Sequence, residues 1–451
     1  MNTENSDSPT TGIPAKPLRR KVMSASLWTV VITLFSQGIR LVSNLILARL
    51  LFPEAFGLMA LTNAILQGLE MFSDLGIGPS VIQAKDPHPR LLDTAWSLHA
   101  VRGMGLFVLA LLLAYPAALW YGDKRLVFLV AAVGLVSAIR GLSSTRMYTL
   151  SKELRLRDIA QVEIASQLVF VLVSSFSAWV WPSVWALVFG GWAGALSYCL
   201  LTYLVTKAPW PTWCWDRDAL RTITRFGRWV LISTIFTYAL GQGDRLILGS
   251  FMTFTQLGLY QIANVLARAV TQISSGVASR VLFPLYATVG RETTPELIRR
   301  ITKLRLATMA LLLPPSWVLT CAGDFVVRLL WDDRYQGAGW MVRVLSASTI
   351  FASLSAGPVY LARGEAWIGF ANNVFNACVL IPAMIIGAHF WGTTGLVVAV
   401  GATQIPEYLF EIWTQRRYKV WIPWLDLLTL GASAVAIGGG MALRRFLGYG
   451  P

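Results

Sequence analysis

Long apolar stretches, separated by short polar connections, occupy almost the whole chain. A helix that crosses a bilayer needs about 20 predominantly apolar residues, and the chain contains thirteen stretches of about this length. They cover residues 24–50, 55–81, 94–120, 125–149, 158–180, 183–206, 227–251, 257–288, 304–322, 340–361, 367–389, 393–415 and 424–443. The pattern therefore predicts an all-α polytopic membrane protein.

The composition supports this prediction. Of the 451 residues, 55% are hydrophobic and only 14% are charged, and the mean hydropathy is +0.58. Because a soluble domain carries about 25% charged residues, a soluble enzyme, a disordered protein and a fibrous protein are excluded. The four cysteines and three histidines are widely separated, and no Walker, HExxH or GxSxG motif occurs in a suitable context. The sequence therefore predicts no catalytic centre, no metal site and no cofactor.

The basic residues are unevenly divided between the two sides of the predicted membrane. Residues 1–22 are polar, end in four basic residues and are predicted to form a disordered cytoplasmic tail. With this tail in the cytoplasm, 23 Lys and Arg, Arg305 among them, fall in the inner connections and four in the outer ones. This asymmetry predicts a cytoplasmic N-terminus. The net charge of +15 therefore reflects topology, and nucleic acid is not a predicted partner.

The chain contains an internal repeat. A shift of 201 residues aligns 26–64 with 227–265 without a gap, with nine identities that include Gly57 with Gly258. An offset of six helices keeps both copies in the same orientation, so the repeat predicts two parallel six-helix lobes with the substrate site between them. The predicted divisions are the N-lobe (23–206), a cytoplasmic linker (207–226), the C-lobe (227–415) and a C-terminal segment with an extra helix (416–451).

Polar side chains recur at helical spacing in the first, second, seventh and eighth predicted spans. A charge at the bilayer centre costs at least about 2.5–3.5 kcal/mol, so deep arginines need a partner or a wet cavity. The stripes predict a positive cavity lined by Arg40, Arg102, Arg140, Arg245 and Arg268, together with Gln37, Asn44, Asn63, Gln67 and Asn264. Hydrogen bonds between packed helices are the alternative interpretation of the stripes.

Three acidic residues, Glu70, Asp74 and Asp244, fall on the same stripes. They are candidates for pairing with Arg40 or Arg245, or else for binding a coupling ion, either H⁺ or Na⁺. The residue pattern leaves these two roles open.

Several motifs resemble those of a known transporter family. LARLLFPEAFGLMAL (47–61), FSDLGIGPSVIQ (72–83), GDRLILG (243–249), LGLYQIAN (257–264) and VLFPLYATV (281–289) resemble polysaccharide and O-antigen flippases of the Wzx type. The resemblance is greatest to the colanic-acid exporter subgroup of the multidrug/oligosaccharidyl-lipid/polysaccharide exporter superfamily. It covers residues 24 to 415, and the thirteenth span departs from the twelve-helix core of that superfamily.

The resemblance implies a non-enzymatic function in the bacterial inner membrane. The substrate it implies is an oligosaccharide on undecaprenyl diphosphate, moved from the cytoplasmic to the periplasmic leaflet by alternating access. Its implied partners are this lipid-linked oligosaccharide, the bilayer, and the polysaccharide polymerase and chain-length machinery. Arginine binds phosphate oxygens bidentately, so Arg40 and Arg268, one from each lobe, are predicted to hold the diphosphate.

Two other functions are compatible with a polytopic membrane protein. A drug antiporter of the same fold would need an acidic cavity for cationic substrates, and the deep arginines argue against one. A membrane polysaccharide polymerase or ligase would need an extended outer loop, and the longest outer connection is only 323–339. The flippase is therefore the function that we expect.

Overall fold

The computed structural model describes residues 35–73, 76–84, 89–153, 155–207, 210–221, 238, 241–277, 295–354, 359–362 and 365–446. Within these ranges the chain forms α-helices and one short 3₁₀ helix, without a β-strand. This confirms the predicted all-α fold. The predicted tail and Asp74 lie outside the described residues.

Between residues 35 and 207, the described part of the N-terminal half forms eight helices. They are α1 (35–50), α2 (Pro53–Phe72), α3 (Ile77–Gln83), α4 (Pro89–Tyr121), α5 (Arg125–Gly141), α6 (Met147–Lys152), α7 (Leu156–Val180) and α8 (Trp185–Thr206). Pro53 occupies the first turn of α2, where its missing N–H and fixed φ favour a helix start.

The described part of the C-terminal half is also helical. It contains α9 (241–251), α10 (Phe254–Val277), α11 (Pro295–Leu330), the 3₁₀ helix (Asp333–Ala338), α12 (Gly339–Ser353), α13 (Val359–Ala362), α14 (Ala366–Ala402), α15 (Gln404–Arg417) and α16 (Pro423–Phe446). Gly392 takes the left-handed region (φ 57°) and divides α14 into two arms. The predicted break between spans 367–389 and 393–415 is therefore present.

Seven helical stretches in the described ranges have the length and apolar composition needed to cross a membrane. Each of the thirteen predicted spans contains helical residues, although α1 and α9 are described only in part. The protein is therefore a multi-pass helical membrane protein, as predicted.

The two halves meet where α2 crosses α10. A Cβ on Gly57 would overlap the carbonyl oxygen of Phe254, and a Cβ on Gly258 would overlap that of Pro53. The 201-residue shift converts the first contact into the second, and such reciprocity is the signature of a local two-fold axis. The superposition of one whole lobe on the other stays a prediction, and this crossing supports it.

Two further hydrogen bonds between the halves lie at one end of the bundle. Tyr121, at the end of α4, donates a hydrogen bond to the Leu246 carbonyl in α9 at 3.3 Å. On the other side, the Tyr335 hydroxyl donates to the Leu51 carbonyl, which follows α1, at 2.9 Å. These bonds lie beside the connections that the charge distribution predicts to be outer. The halves are therefore joined at this end.

The helix of the thirteenth predicted span, α16, packs parallel to α11 along most of its length. The Trp317 indole donates to Ser433 Oγ at 3.0 Å, and further along both helices Arg444 pairs with Asp324 at 2.6 Å. The residue numbers of the contacting pairs increase together along the two helices, so α16 ends at the same end of the bundle as α11. The sequence alone had left the path of this segment undecided.

A buried ion pair fixes the other end of α16. Arg305 is 2% exposed, and its guanidinium donates to Asp426 Oδ1 at 2.7 Å and to the Leu354 carbonyl at 2.6 Å. The Trp421 indole donates to the second carboxylate oxygen of Asp426 at 3.0 Å. Arg305 therefore joins α11 to α12 and α16, rather than lying in a solvated connection.

We expect Gly57→Ala and Gly258→Ala each to lower the unfolding temperature of the purified protein. The added methyl group must push two backbones apart, and overpacking of this kind typically costs about 1–3 kcal/mol. Gly105→Ala in α4 gains the same helix propensity, but nothing lies within 4 Å of its Cβ position, so it serves as the control. Equal unfolding temperatures for all three variants would contradict a close crossing.

We expect Asp426→Leu to destabilise the protein by about 3–5 kcal/mol, because it leaves the Arg305 guanidinium buried without its counter-ion. The double variant Arg305→Met/Asp426→Leu should recover most of this loss in thermal unfolding. Glu296→Gln removes the exposed pair with Arg300 and should change stability by about 1 kcal/mol or less. If the double variant were as unstable as the single one, packing rather than charge would account for the loss.

Candidate functional site

The N-terminal half encloses a cavity of about 660 Å³ between α1, α2, α5, α7 and α8. Its polar lining consists of Arg40, Ser43, Asn44, Asn63, Arg140, Glu163, Ser166, Gln167, Tyr198 and Gln261. Gln261 belongs to α10, so this cavity reaches the interface between the two halves. Four of the predicted site residues, Arg40, Asn44, Asn63 and Arg140, are brought together here.

Two arginines and one glutamate determine the charge of this N-cavity. Glu163 interacts electrostatically with both Arg40 and Arg140. The Arg140 guanidinium also lies 5.7 Å from the centre of the Tyr198 ring. Arg40 forms no hydrogen bond or ion pair with another described side chain. The lining charges thus leave one net positive charge.

Sequence reasoning missed Glu163. The signal was present, because an ionisable residue inside the predicted span 158–180 is a functional candidate by itself. It was missed because the polar stripes were followed only in the four helices related by the aligned repeat.

The C-terminal half encloses a second cavity of about 470 Å³ between α9, α10, α12, α14 and α15. Its charged lining residues are Asp244, Arg268 and Glu407. In order along the chain, the two sets of helices are the first, second, fourth, fifth and sixth spans of each predicted lobe. Each half therefore places a polar cavity among corresponding helices.

Asp244 is the centre of the hydrogen-bond network in this C-cavity. Asp244 is 3% exposed, and its carboxylate accepts hydrogen bonds from Tyr260 at 2.7 Å and from Asn264 at 3.4 Å. The Arg268 guanidinium lies 3.7 Å from the same oxygen, and its Nε donates to Asn264 Oδ1 at 2.7 Å. Asp244 is therefore paired with Arg268, rather than with Arg40 or Arg245.

Glu407 is the other carboxylate of the C-cavity. Its Oε2 accepts a hydrogen bond from Gln404 Nε2 at 3.0 Å, and no basic side chain in the described ranges forms an ion pair with it. The sequence analysis did not single it out, since it lies in the last span of the predicted C-lobe.

The remaining predicted site residues within the described ranges line neither cavity. Arg102 bonds to the Glu70 carbonyl at 2.6 Å and to Ser73 Oγ at 3.0 Å, and so caps the end of α2. Arg245 bonds to Gln261 at 3.0 Å and to Gln242. These two arginines were predicted to line a cavity, but their hydrogen bonds direct both guanidinium groups to protein partners.

The predicted amide and acid groups outside the cavities also have protein partners. Gln37 bonds to Gln272, and Gln67 accepts from Gln242, so both glutamines connect the two halves. The Glu70 carboxylate accepts from Ser137 at 2.8 Å. For these three residues the geometry agrees with the alternative interpretation, hydrogen bonds between helices.

Comparison with known proteins identifies the family. The family described as polysaccharide biosynthesis protein matches residues 46–339, which is well over half of the chain. This protein belongs to that family. The region matched includes the residues of the N-cavity from Asn63 onward, and it includes Asp244 and Arg268 of the C-cavity.

Curated relatives carry names that agree with this membership. The chain is 24% identical to the lipopolysaccharide biosynthesis protein WzxC of Escherichia coli, over 92% of this chain and 87% of the relative. It is also 24% identical to the succinoglycan biosynthesis transport protein ExoT of Rhizobium meliloti, over 83% of this chain and 73% of the relative.

Solved structures share the fold at low identity. The lipid II flippase MurJ, in an inward closed conformation, gives a TM-score of 0.69 at 10% identity and covers 93% of this chain and 99% of its own. An inward-facing multidrug resistance MATE transporter of the MOP superfamily gives 0.60 at 13% identity, covering 85% and 94%. The transporter fold expected from the resemblance is therefore confirmed.

Arg102→Met should lower the unfolding temperature without changing transport per folded molecule. It removes hydrogen bonds from a charged donor to the end of α2, each worth about 1.5–3 kcal/mol. Arg328→Met, at an exposed position near the end of α11, is the matched control. Loss of transport at an unchanged unfolding temperature would instead place Arg102 in the substrate pathway.

Proposed function

We propose that this protein flips an oligosaccharide linked to undecaprenyl diphosphate from the cytoplasmic to the periplasmic leaflet of the bacterial inner membrane. The observation that carries the proposal is a polar, net-positive cavity enclosed by membrane-spanning helices in the N-terminal half. The names of WzxC and ExoT, a lipopolysaccharide biosynthesis protein and a succinoglycan transport protein, support it. The orientation proposed is that of the charge distribution, with a cytoplasmic N-terminus.

The chemistry of the cavity suits the head group of such a lipid. Sugar hydroxyls lose several kcal/mol each when they enter hydrocarbon without a hydrogen-bond partner. A cavity of about 660 Å³ lined by amides and hydroxyls supplies those partners, while the polyprenyl chain stays in the bilayer. The diphosphate carries the negative charge that two arginines attract.

We assign the diphosphate to Arg40 and Arg140. They share one cavity, and both face Glu163, which balances part of their charge in the absence of substrate. The planar fork of each guanidinium binds phosphate oxygens bidentately. Asn44 and Asn63 line the same cavity and are the candidates for binding the sugar hydroxyls. The sequence predicts Arg268 as the partner of Arg40, but its pairing with Asp244 supports another role.

We propose that Asp244, Arg268 and Glu407 form the site that couples transport to H⁺ or Na⁺. A carboxylate whose partner is 3.7 Å away can exchange that partner for a cation or a proton. Movement of the C-terminal half would follow, because Asp244 lies in α9 and its hydrogen-bond partners lie in α10. The bonds at the outer end, as from Tyr335 to Leu51, would break when the transporter opens outward.

The polysaccharide polymerase and the chain-length machinery are the proposed protein partners. They consume the product on the periplasmic side, so the connections at the closed end of the bundle are the surfaces available to them. This partnership rests on the proposed substrate and would fail with it.

The direct test replaces the N-cavity arginines in a flippase-null strain that makes a known surface polysaccharide. At matched membrane levels, Arg40→Ala and Arg140→Ala should each abolish or strongly reduce polysaccharide, whereas Arg40→Lys keeps the charge and should retain more. Arg299→Ala, on the exposed face of α11, is the control and should support normal production. Normal polysaccharide from both cavity variants would refute the proposed role.

A second experiment separates coupling from structural pairing in the C-cavity. Arg268→Leu leaves Asp244 buried without its counter-ion, so it should lower both stability and transport. The double variant Arg268→Leu/Asp244→Leu should regain the unfolding temperature but remain inactive if the carboxylate couples transport to an ion. Recovery of polysaccharide in the double variant would show that the pair is only structural.

A further inference from the structure

Three tryptophans crowd the start of the segment that connects the two halves. Residues 210–216 are not helical, and Trp210, Trp213 and Trp215 are 78%, 61% and 51% exposed. Three large aromatic side chains exposed within six residues form an apolar surface that water does not favour. We call these three side chains the tryptophan patch.

The backbone under the tryptophan patch is fixed to the N-terminal half. Thr212 Oγ1 donates to the Asp93 carboxylate at 2.8 Å, and the Cys214 N–H donates to Ser97 Oγ at 3.1 Å. The Asp216 N–H donates to the Thr94 hydroxyl in α4 at 3.2 Å. The exposed rings therefore belong to a docked segment, rather than to a loop that could turn them inward.

Two of the tryptophan rings also pack against aromatic rings of the N-terminal half. Trp210 stacks on Tyr203 with 4.9 Å between ring centres, and Trp213 meets Trp96 edge to face at 5.4 Å. The Tyr203 hydroxyl donates to the Leu142 carbonyl at 2.7 Å. Trp210 and Trp213 thus each contact an inner ring that is itself hydrogen-bonded, and both remain largely exposed.

Two cations flank the patch. Lys207 ends α8 in the left-handed region (φ 47°), and Arg217 follows the docked segment. Both are exposed, and neither forms an ion pair with a described residue. The surface thus combines indole rings, whose N–H groups donate no hydrogen bond to a described residue, with the cations Lys207 and Arg217. The carboxylates of Asp216 and Asp218 lie on either side of Arg217 in the chain, so Lys207 is the cation with no acidic neighbour in the described sequence around it. This surface lies at the end of the bundle opposite to the bonds that close the outer end.

We propose that the tryptophan patch, with Lys207 and Arg217, binds the headgroups of anionic phospholipids at the membrane surface. Indole rings favour the boundary between hydrocarbon and water, where the ring is apolar and its N–H reaches a polar group. Cations beside such rings attract anionic headgroups. This surface holds the first part of the inter-lobe linker, and the N-terminal half that it is docked on, at the level of the headgroups.

The test measures phospholipid binding by the purified full-length protein, with phosphatidylglycerol compared to phosphatidylcholine. The test variant is Lys207→Gln/Arg217→Gln/Trp210→Ala/Trp215→Ala. The control variant carries the same kinds of change at exposed positions near the other end, Lys124→Gln/Arg328→Gln/Trp179→Ala/Trp181→Ala. Unfolding temperatures in phosphatidylcholine nanodiscs establish that both variants are folded.

The wild type and the control variant should both prefer phosphatidylglycerol. The test variant should lose roughly tenfold or more of that preference, since each cation near an anionic surface contributes about fivefold to binding. Lys207→Gln/Arg217→Gln alone, which leaves the rings in place, should lose most of it. An unchanged preference in the test variant would overturn the proposal. Equal binding of both lipids by the wild type would do the same and would favour a protein or glycan as occupant.

Discussion

The constraint on which the rest of the structure depends is the absence of water in the hydrocarbon layer. A polar or charged group there must find a partner in the protein or a wet cavity. This protein meets the constraint in three ways: with a buried ion pair at Arg305, with hydrogen-bonded caps such as Arg102, and with two polar cavities. The position of each charged residue therefore indicates where the fold supplies a partner or a polar cavity.

The crossing of α2 and α10 determines how these groups are arranged. Gly57 and Gly258 let two backbones touch, and that contact brings the first two helices of each half to the interface. The hydrogen bonds that the Tyr121 and Tyr335 hydroxyls donate to backbone carbonyls of the opposite half join the halves at one end of the bundle. As a result the walls of both cavities contain helices that also contact the opposite half. Movement at the interface must change the shape of each cavity.

The two cavities have different chemistry although corresponding helices form them. The N-cavity has two arginines that face a single glutamate, whereas the C-cavity has an arginine paired with Asp244 and a separate carboxylate, Glu407. This asymmetry agrees with the proposed roles, in which the N-terminal half binds an anionic head group and the C-terminal half binds a cation. The helix of the thirteenth predicted span, α16, forms ion pairs with α11 through Asp426 and Arg444 and lines neither cavity.

The sequence by itself predicted the helical membrane fold, and each predicted span contains helical residues. It assigned its polar residues to a single cavity, whereas the structure places Arg40, Asn44, Asn63 and Arg140 in one cavity and Asn264 and Arg268 in another. Apolar length and helical spacing are local properties, so they can be read along the chain. Only the tertiary structure decided that Arg305 is buried, that Arg102 caps a helix and that Glu163 faces two arginines. These outcomes depend on which helices become neighbours, and packing between residues far apart in the chain decides that.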